Sequence, residues 1–466
     1  MTNIINTLFE AQQKNKYTLR LSTATERIDK LHLLKLTIEK YEEEIYMALQ
    51  TDLRKSKFEA AVTELIFTYS EIDFAIKNLK NWMQPRHAGK SIASLLAKNR
   101  IYYEPKGVCL IISPWNYPFQ LMMSPLTSAI AAGNCAILKP SEFSAATSAV
   151  IAKIIGKVFK KDEVACFEGD ESVSKTLLEL PFDHIFFTGS TAVGKIVMKA
   201  AAEHLTSVTL ELGGKSPVII DETAVIKNAA TKVAWGKLIN AGQTCIAPDY
   251  VFVHQSKIEE FLTHYKTAAK SMFLNENNLT NESTYAKIIN LKHFDRLTAL
   301  IKDAVNKGTD IAWGGDSVIL EHTISPTILC NVNFDSKIMQ EEIFGPVLPV
   351  IPYTDPETPI AFINGKSKPL AMYIFSENKA KIKHLLKSTS SGGACINDVL
   401  IHISNPNLPF GGVNESGAGS CHGIFGFKAF SHERAVVFQS SINMSGMIYP
   451  PYGKKGWVLK MLKKLM

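Results

Sequence analysis

HIFFTGSTAVGKIVMKAAAEHL, residues 184–205, decides the fold class. Ile185–Thr188 are β-branched or aromatic and read as a buried strand. Gly189 breaks that run, and the residues from Thr191 onward read as a helix. Strand, glycine turn and helix form the repeating unit of a parallel α/β sheet. The unit recurs on both sides. Upstream, GVCLIIS (107–113) precedes the helix LMMSPLTSAIAAG (121–133), stopped by Gly133. CAILKP (135–140) then precedes SAATSAVIAKIIGKVF (144–159), a helix capped by Ser144 or Ser141. VACFEG (164–169) and the helical SVSKTLLEL (172–180) complete this first series.

A second series starts at PVIID (217–221). It holds the helices AVIKNAATKVAWGKLI (224–239) and HFDRLTALIKDAVNKG (293–308), and the strands YVFVH (250–254), LPVIPY (348–353), LAMYIFS (370–376) and GGACIND (392–398). The first eighty residues read as helices. Leu31, Leu34, Ile38, Tyr41, Ile45 and Leu49 recur at helical spacing in one stretch, and ELIFTYSEIDFAIKNLKNWM (64–83) continues until Pro85. The pattern predicts two α/β domains with a cleft between them, and ligands outside the carboxyl ends of the strands.

Composition bounds the function. The chain has 466 residues, 46% of them apolar and 20% charged, as in a globular enzyme with a large core. The net charge of +7 comes from scattered lysines, with no basic-aromatic module for nucleic acid. No window approaches the ~18 apolar residues of a membrane span. MTNIINTLFEAQQKNKY has charge and amides where a secretory leader has its apolar core. The seven cysteines are scattered without a CxxC pair, so neither a zinc site nor a disulfide framework is expected, and a reducing cytoplasm is the simplest setting.

Six of the cysteines read as small packing residues. Cys245 differs: in NAGQTCIAPDY (240–250) it stands among small and polar residues, after a flexible Gly242 and before Pro248. Other segments carry chemistry of their own. FFTGSTAVG (186–194) presents backbone N–H groups and a helix N-terminus to an anion, although its glycines are not spaced as GxGxxG. LKPSE (138–142) offers Lys139 and Glu142 to a ribose, or is a surface pair. PWNYPFQL (114–121) holds Asn116 between two prolines, either as an oxyanion donor or as the cap of a rigid turn. LELGGKSP (210–217) puts Glu211 beside a Gly-Gly turn, either as a general base or as a salt-bridged loop acid. In EEIFGPVLPV (341–350), Glu342 and Phe344 face the same way if the segment is extended.

In order and type these segments together resemble the aldehyde dehydrogenase superfamily over essentially the whole chain. PWNYPFQL, KPSE, ELGGKSP and GQTCIAPDYV resemble its class 3 branch, which acts on fatty and aromatic aldehydes. The resemblance implies an aldehyde dehydrogenase-like α/β fold of two Rossmann-like parallel-sheet domains plus a small β oligomerisation arm. It implies a cofactor domain of residues 1–89 and 106–212 with a return segment near 415–432, a catalytic domain of 213–414, an arm of 90–105 and 433–443, and a tail of 444–466. It makes Cys245 the nucleophile, Glu211 the base for hydrolysis and Asn116 the oxyanion donor. Lys139, Glu142, Gly189, Ser190, Gly194, Glu342 and Phe344 become cofactor contacts, and Tyr117, Trp235 and His422 substrate-funnel residues. NAD is the implied cofactor, with NADP tolerated, and no metal is needed. The implied assembly is a homodimer.

PFGGVNESGAGSCHG (409–423) departs from the family pattern, with Asn414 in place of a third glycine and Cys421 in place of a tyrosine. Those changes bear on the substrate profile. The tail GWVLKMLKKLM (456–466) is amphipathic and too short to span a bilayer, so it lies at a membrane surface or docks on the protein. The expected reaction is NAD(P)-dependent oxidation of an aldehyde to an acid through a cysteine thioester. A CoA-acylating enzyme is the alternative within the superfamily, but it has no need for Glu211. A cysteine hydrolase would need a histidine partner that the motifs do not supply. A silent binding protein would have no reason to keep every catalytic position.

Overall fold

The computed structural model describes residues 2–91, 94, 96–441 and 445–465. Parts of the expected arm (Ile92, Ala93, Leu95, Ile442, Asn443) and tail (Met444, Met466 and the Leu465 side chain) lie outside the described residues.

The first α/β series forms one sheet. Across it run Gly417–Ala418, Ser207–Glu211, His184–Thr188, Val108–Ile112, Cys135–Lys139 and Val164–Cys166. All neighbours are parallel except the short edge pair Gly417–Ala418 against Leu210–Glu211. The continuous apolar strands follow from burial on both faces. Cys109 and Ile111 join the larger core, while Val108 and Leu110 join a second one. The second series forms a sheet in the order Asp310–Trp313, Thr327–Cys330, Val347–Tyr353, Tyr250–His254, Pro217–Ile220, Ala371–Phe375, Gly393–Ile396. It too is parallel apart from one edge, Asp310–Trp313. A third, antiparallel sheet joins Arg86–His87, Lys98–Pro105 and Ser431–Phe438.

The N-terminal helical stretch divides at Tyr41 into Ala24–Lys40 and Glu42–Leu53. Glu42, Glu43 and Glu44 fill the first turn of the second helix, where the helix dipole favours acids. The periodic residues Leu31, Leu34, Ile38, Ile45 and Leu49 are all buried.

Helix Ala145–Val158 is capped differently from the sequence expectation. Ser144 makes no capping bond, and Ser141 accepts from the Phe143 N–H of the preceding turn. The helix N-terminus is capped instead by Asp52, from the end of helix Glu42–Leu53. Its carboxylate accepts from the N–H of Ala146 (3.2 Å), the N–H of Thr147 (2.8 Å) and the Thr147 hydroxyl (2.7 Å). A cap supplied from 94 residues away has no local sequence signature. Asp52→Ala is expected to lower the unfolding free energy by about 1–2 kcal/mol. Asp52→Asn should keep most of it, and denaturant midpoints check both.

Candidate active site

The strand order of the first sheet reverses between Val108–Ile112 and His184–Thr188. Ligands bind at such switch points, beyond the carboxyl ends of the strands. Here the loop Ser113–Pro118 leaves one strand and the turn at Gly189 leaves the other. Glu211 ends the next strand, paired in register with Thr188. Lys139 ends the strand on the far side, paired with Ile112.

Two cavities meet at this edge. The wider one, about 570 Å³, runs past Asn116, the turn Gly189–Ala192, Arg296, Glu342 and Phe344. The narrower one is lined by Gln120, Ser124, Phe186, Phe410, Cys421 and His422. Both share Leu121, Thr188, Glu211, Leu212 and Cys245. The thiol and the acid singled out in the sequence therefore stand at the junction of the two.

The loop carrying Cys245 is tightly specified. Asn240, Ala241 and Gly242 are consecutive left-handed residues, with φ of 52°, 51° and 75°. Gly242 is buried, and a Cβ there would lie 2.3 Å from the Gly345 carbonyl oxygen. It is fixed by packing, contrary to the flexibility read from the sequence. A turn follows, closed by Ala247 N–H to the Thr244 carbonyl (3.0 Å). The N–H groups of Cys245 and Ile246 point at the thiol. Asn116 donates to the Gln243 carbonyl (3.0 Å), which joins its loop to that of Cys245. Tyr117 supports the same junction. Its hydroxyl meets Thr244 Oγ1 at 2.6 Å, and Lys55 Nζ lies 3.9 Å from its ring centre. Trp235 is 37% exposed on helix Ile226–Leu238. Neither Tyr117 nor Trp235 is among the residues lining the two cavities.

Lys215 and Asp249 form a buried ion pair beside this loop. Lys215 also donates to the carbonyls of Ile338 (2.7 Å) and Glu341 (2.9 Å), and Asp249 accepts from the Ile343 N–H (2.9 Å). Arg296 donates to the carbonyls of Glu342 (3.2 Å) and Ile343 (2.6 Å). These residues fix the loop Glu341–Gly345. Glu342 and Phe344 both line the wide cavity, but not by strand alternation, because Phe344 has φ of 50°. The Glu342 carboxyl lies against Gly213, where a Cβ would come within 2.0 Å of Oε2. That contact accounts for the first glycine of ELGGK.

Gly189 and Ser190 line the wide cavity, and Ser190 caps helix Thr191–Ala202 through the Val193 N–H (3.4 Å). Gly194 sits one turn further in, where a Cβ would strike Leu212 at 2.6 Å. Its place is close helix–strand packing. Lys139 is buried, donates to the Pro140 carbonyl (2.8 Å) and pairs with the more exposed Glu142 at 3.5 Å. His422 Nδ1 lies 3.4 Å from Glu71, and its ring packs on Phe67 and Phe410. Asn414 has φ of 59°, a conformation that suits Asn or Gly. It is exposed and accepts from Lys368 (2.9 Å), whereas Cys421 lines the narrow cavity.

Burial dominates the electrostatics. It pushes the Cys245 thiol up to about 12, with Glu342 and Glu211 adding to the rise. It pushes Glu342 up to about 8, helped by Asp249. Glu211 is pushed well above the usual carboxylate range by burial, partly offset by the Cys421 thiol that faces it. Among the described residues, no N–H or O–H group donates to either Glu211 oxygen. Burial thus disfavours the charged forms of the thiol and of both carboxyl groups.

The wide cavity fits a dinucleotide. A helix N-terminus with free N–H groups suits a pyrophosphate, and an acid with an aromatic ring at the far side suits a ribose and a flat base. Sequence reasoning missed Asp249, Arg296 and the buried pair Lys55–Glu64 (2.6 Å). Lys215 and Asp249 stood inside quoted motifs, but only the third dimension shows that they pair.

The comparisons agree with this geometry. The profile described as the aldehyde dehydrogenase family matches residues 2–436. A 4,4'-diaponeurosporen-aldehyde dehydrogenase of Staphylococcus aureus is 44% identical over 453 residues, covering 97% of this chain and 98% of the relative. Aldehyde dehydrogenase family 3 member A2 of Mus musculus is 43% identical, covering 91% and 87%. The substrate-bound structure of Staphylococcus aureus AldH superposes with a TM-score of 0.94 at 43% identity, covering 98% of this chain and 99% of that one. Across nearly its whole length, then, the chain belongs to the aldehyde dehydrogenase family: it is an oxidoreductase acting on small-molecule aldehydes with NAD(P).

Proposed function

We propose that Cys245 is the nucleophile, Asn116 the oxyanion donor and Glu211 the hydrolytic base of this oxidation. The observation that carries the reading is the position of Cys245 and Glu211 at the meeting of two cavities, one for cofactor and one for aldehyde. The Cys245 sulfur adds to the aldehyde carbon, its proton leaves, and the oxygen becomes an alkoxide. The Asn116 amide and the Cys245 N–H stabilise that alkoxide, on the order of 3 kcal/mol for one such donor. A bound nicotinamide supplies the acceptor for the hydride that leaves the same carbon. Cys245 then carries a thioester. Glu211 takes a proton from water, which adds to the thioester carbon and releases the acid and the thiol. A base poised at the thioester favours hydrolysis over transfer to coenzyme A.

Gly189 and Ser190 seat the pyrophosphate, with Gly194 letting their helix approach the sheet. Glu342 and Phe344 meet the nicotinamide ribose and ring, and Lys139 and Glu142 the adenosine ribose. The division into a cofactor domain (1–89, 106–212, 415–432) and a catalytic domain (213–414) follows the two large sheets. The narrow cavity is walled by Leu121, Phe186, Leu370, Ile403 and Phe410, which suits aliphatic or aromatic aldehydes. Relatives named for 4,4'-diaponeurosporen-aldehyde and, at 40% identity, for coniferyl aldehyde support that class. The seven free cysteines suit a reducing cytoplasm.

The chain forms a homodimer through the edge strand Ser431–Phe438, which exposes Val437 and Phe438. Among the described residues no helix is long and apolar enough to cross a membrane. In helix Gly456–Leu465, Val458 is buried while Trp457 and Leu459 are exposed. The tail therefore docks partly on the protein and leaves an apolar edge for a membrane surface.

Cys245→Ser is expected to abolish oxidation. Glu211→Gln should give a burst of at most one reduced nicotinamide per site and then a slow rate, with the acyl group found on the Cys245 peptide by mass spectrometry. Because the Glu211 carboxyl is raised, wild-type hydrolysis should speed up as pH rises and the acid ionises. Glu211→Gln should lose that limb, and a wild-type rate in this variant would assign hydrolysis to another base. Glu142→Gln should narrow the preference for NAD over NADP, since a carboxylate repels a 2′-phosphate; an unchanged ratio of kcat/KM removes Glu142 from cofactor choice. Light scattering at micromolar concentration should give a dimer. Vesicle co-sedimentation should fall for a chain ending at Tyr452, and equal partition rejects the membrane contact.

A further inference from the structure

Two acids in KFEAAVTEL, Glu59 and Glu64, are buried although neither lines the two cavities of the site. They are five residues apart, which puts them on different faces of an α-helix. The segment Ala61–Leu65 is a π-helix, closed by the Ile66 N–H to the Ala61 carbonyl. Its i→i+5 bonding carries Glu64 round towards Glu59. Both acids then meet the loops of the active site.

Glu64 grips the loop of Asn116. One of its oxygens binds Lys55 Nζ (2.6 Å), and the other accepts from the N–H groups of Phe119 (3.1 Å) and Gln120 (2.9 Å). Lys55 also donates to the Asn116 carbonyl (2.8 Å). Glu59 grips the loop of Cys245. Its Oε1 accepts from the backbone N–H of Asn240 (3.0 Å), the first of the three left-handed residues. The Asn240 side chain donates to the carbonyls of Asn116 (2.9 Å) and Gln243 (3.1 Å), and Asn116 donates back to Gln243. A left-handed non-glycine backbone persists only where its surroundings hold it. Glu59 supplies the bond that holds the start of this one.

We propose that Glu59 is a positioning residue for the oxidation: by accepting the Asn240 N–H it holds the left-handed turn that sets the Cys245 thiol against the Asn116 amide. The inference rests on the roles given above to Cys245 and Asn116. Loss of the acceptor displaces the thiol relative to the amide and leaves unchanged the turn Gly189–Ala192 and the loop Glu341–Phe344, which line the rest of the wide cavity.

The test compares Glu59→Ala, Glu59→Gln and Glu59→Asp with the wild type, with active sites counted by titration. Glu59→Ala should lower kcat on the order of 10- to 100-fold, as expected for a small misplacement of reacting groups. NAD affinity, read by fluorescence, and KM should stay within about threefold of the wild type, because the change acts on the reacting geometry and not on ground-state binding. Alkylation of Cys245 by iodoacetamide should slow or quicken with the displaced turn. Glu59→Gln keeps an oxygen at the same place and should restore kcat to near the wild-type value. If Glu59→Ala does not fold, Glu59→Asp withdraws the acceptor by one methylene and should show the same loss of kcat. A folded Ala or Asp variant with full kcat overturns the proposal. So does a Gln variant as slow as Ala, or a loss seen in KM and NAD affinity instead of kcat. Cys245→Ser and Asn116→Ala run in parallel. If either turns over normally, the reading of the site fails and this inference with it. If both are impaired while Glu59→Ala is not, the positioning role alone fails.

Discussion

One ammonium group ties together three of the loops on which the site depends. Lys215 follows the Gly-Gly turn after Glu211, and its partner Asp249 follows Cys245 and Pro248. From Lys215 two bonds reach the carbonyls of Ile338 and Glu341, and from Asp249 one reaches the Ile343 N–H. Asp249 N–H also binds the Ser216 carbonyl (2.8 Å). Taking both charges out of water is costly, and such a pair is tolerated when its remaining donors and acceptors are satisfied. Here they are satisfied by the loops that must be held. The cost of burial is thereby converted into a fixed relation between Glu211, Cys245 and Glu342, which belong to three separate stretches of chain.

The opposite wall of the site is held in the same way by different residues. Lys55, Glu59 and Glu64 come from the N-terminal helices and brace the Asn116 and Cys245 loops from behind. Both braces bind backbone groups, so the loops keep their shape whatever the side chains in the cavities do. The bracing side chains Lys215, Asp249, Lys55, Glu59 and Glu64 are not among the residues that line the two cavities. The bracing side chains and the reactive groups are therefore separate, and a change such as Cys421 can alter a cavity wall without loosening the frame.

The sequence made the sheets legible because strands buried on both faces read as short apolar runs, and the turns after them end in Gly, Pro or Asn. It made Cys245, Glu211 and Asn116 legible because each stands just beyond a strand or in a loop of small residues. What stayed hidden depends on contacts between distant segments. Asp52 caps a helix that begins more than ninety positions later. Glu59 and Glu64 share a face only through a π-turn, which apolar periodicity cannot reveal. Tyr117 and Trp235 carry rings that look suited to a funnel; Tyr117 meets the Thr244 hydroxyl, Trp235 is 37% exposed, and neither is among the residues lining the two cavities. Glu342 and Phe344 converge through a left-handed residue, where alternation of an extended chain would have been the simpler route.

The resting electrostatics follow from the same architecture. A thiol placed where two cavities meet is surrounded mostly by protein, and that burial raises both the thiol and the acids beside it. The N–H groups of Cys245 and Ile246 are the fixed donors aimed at the sulfur, and they do not depend on the protonation of any neighbour. The charges on Glu342 and Glu211, by contrast, are coupled to the state of the thiol. Glu211 lines both cavities and Glu342 only the wider one, so what fills the wide cavity meets both acids and what fills the narrow one meets Glu211.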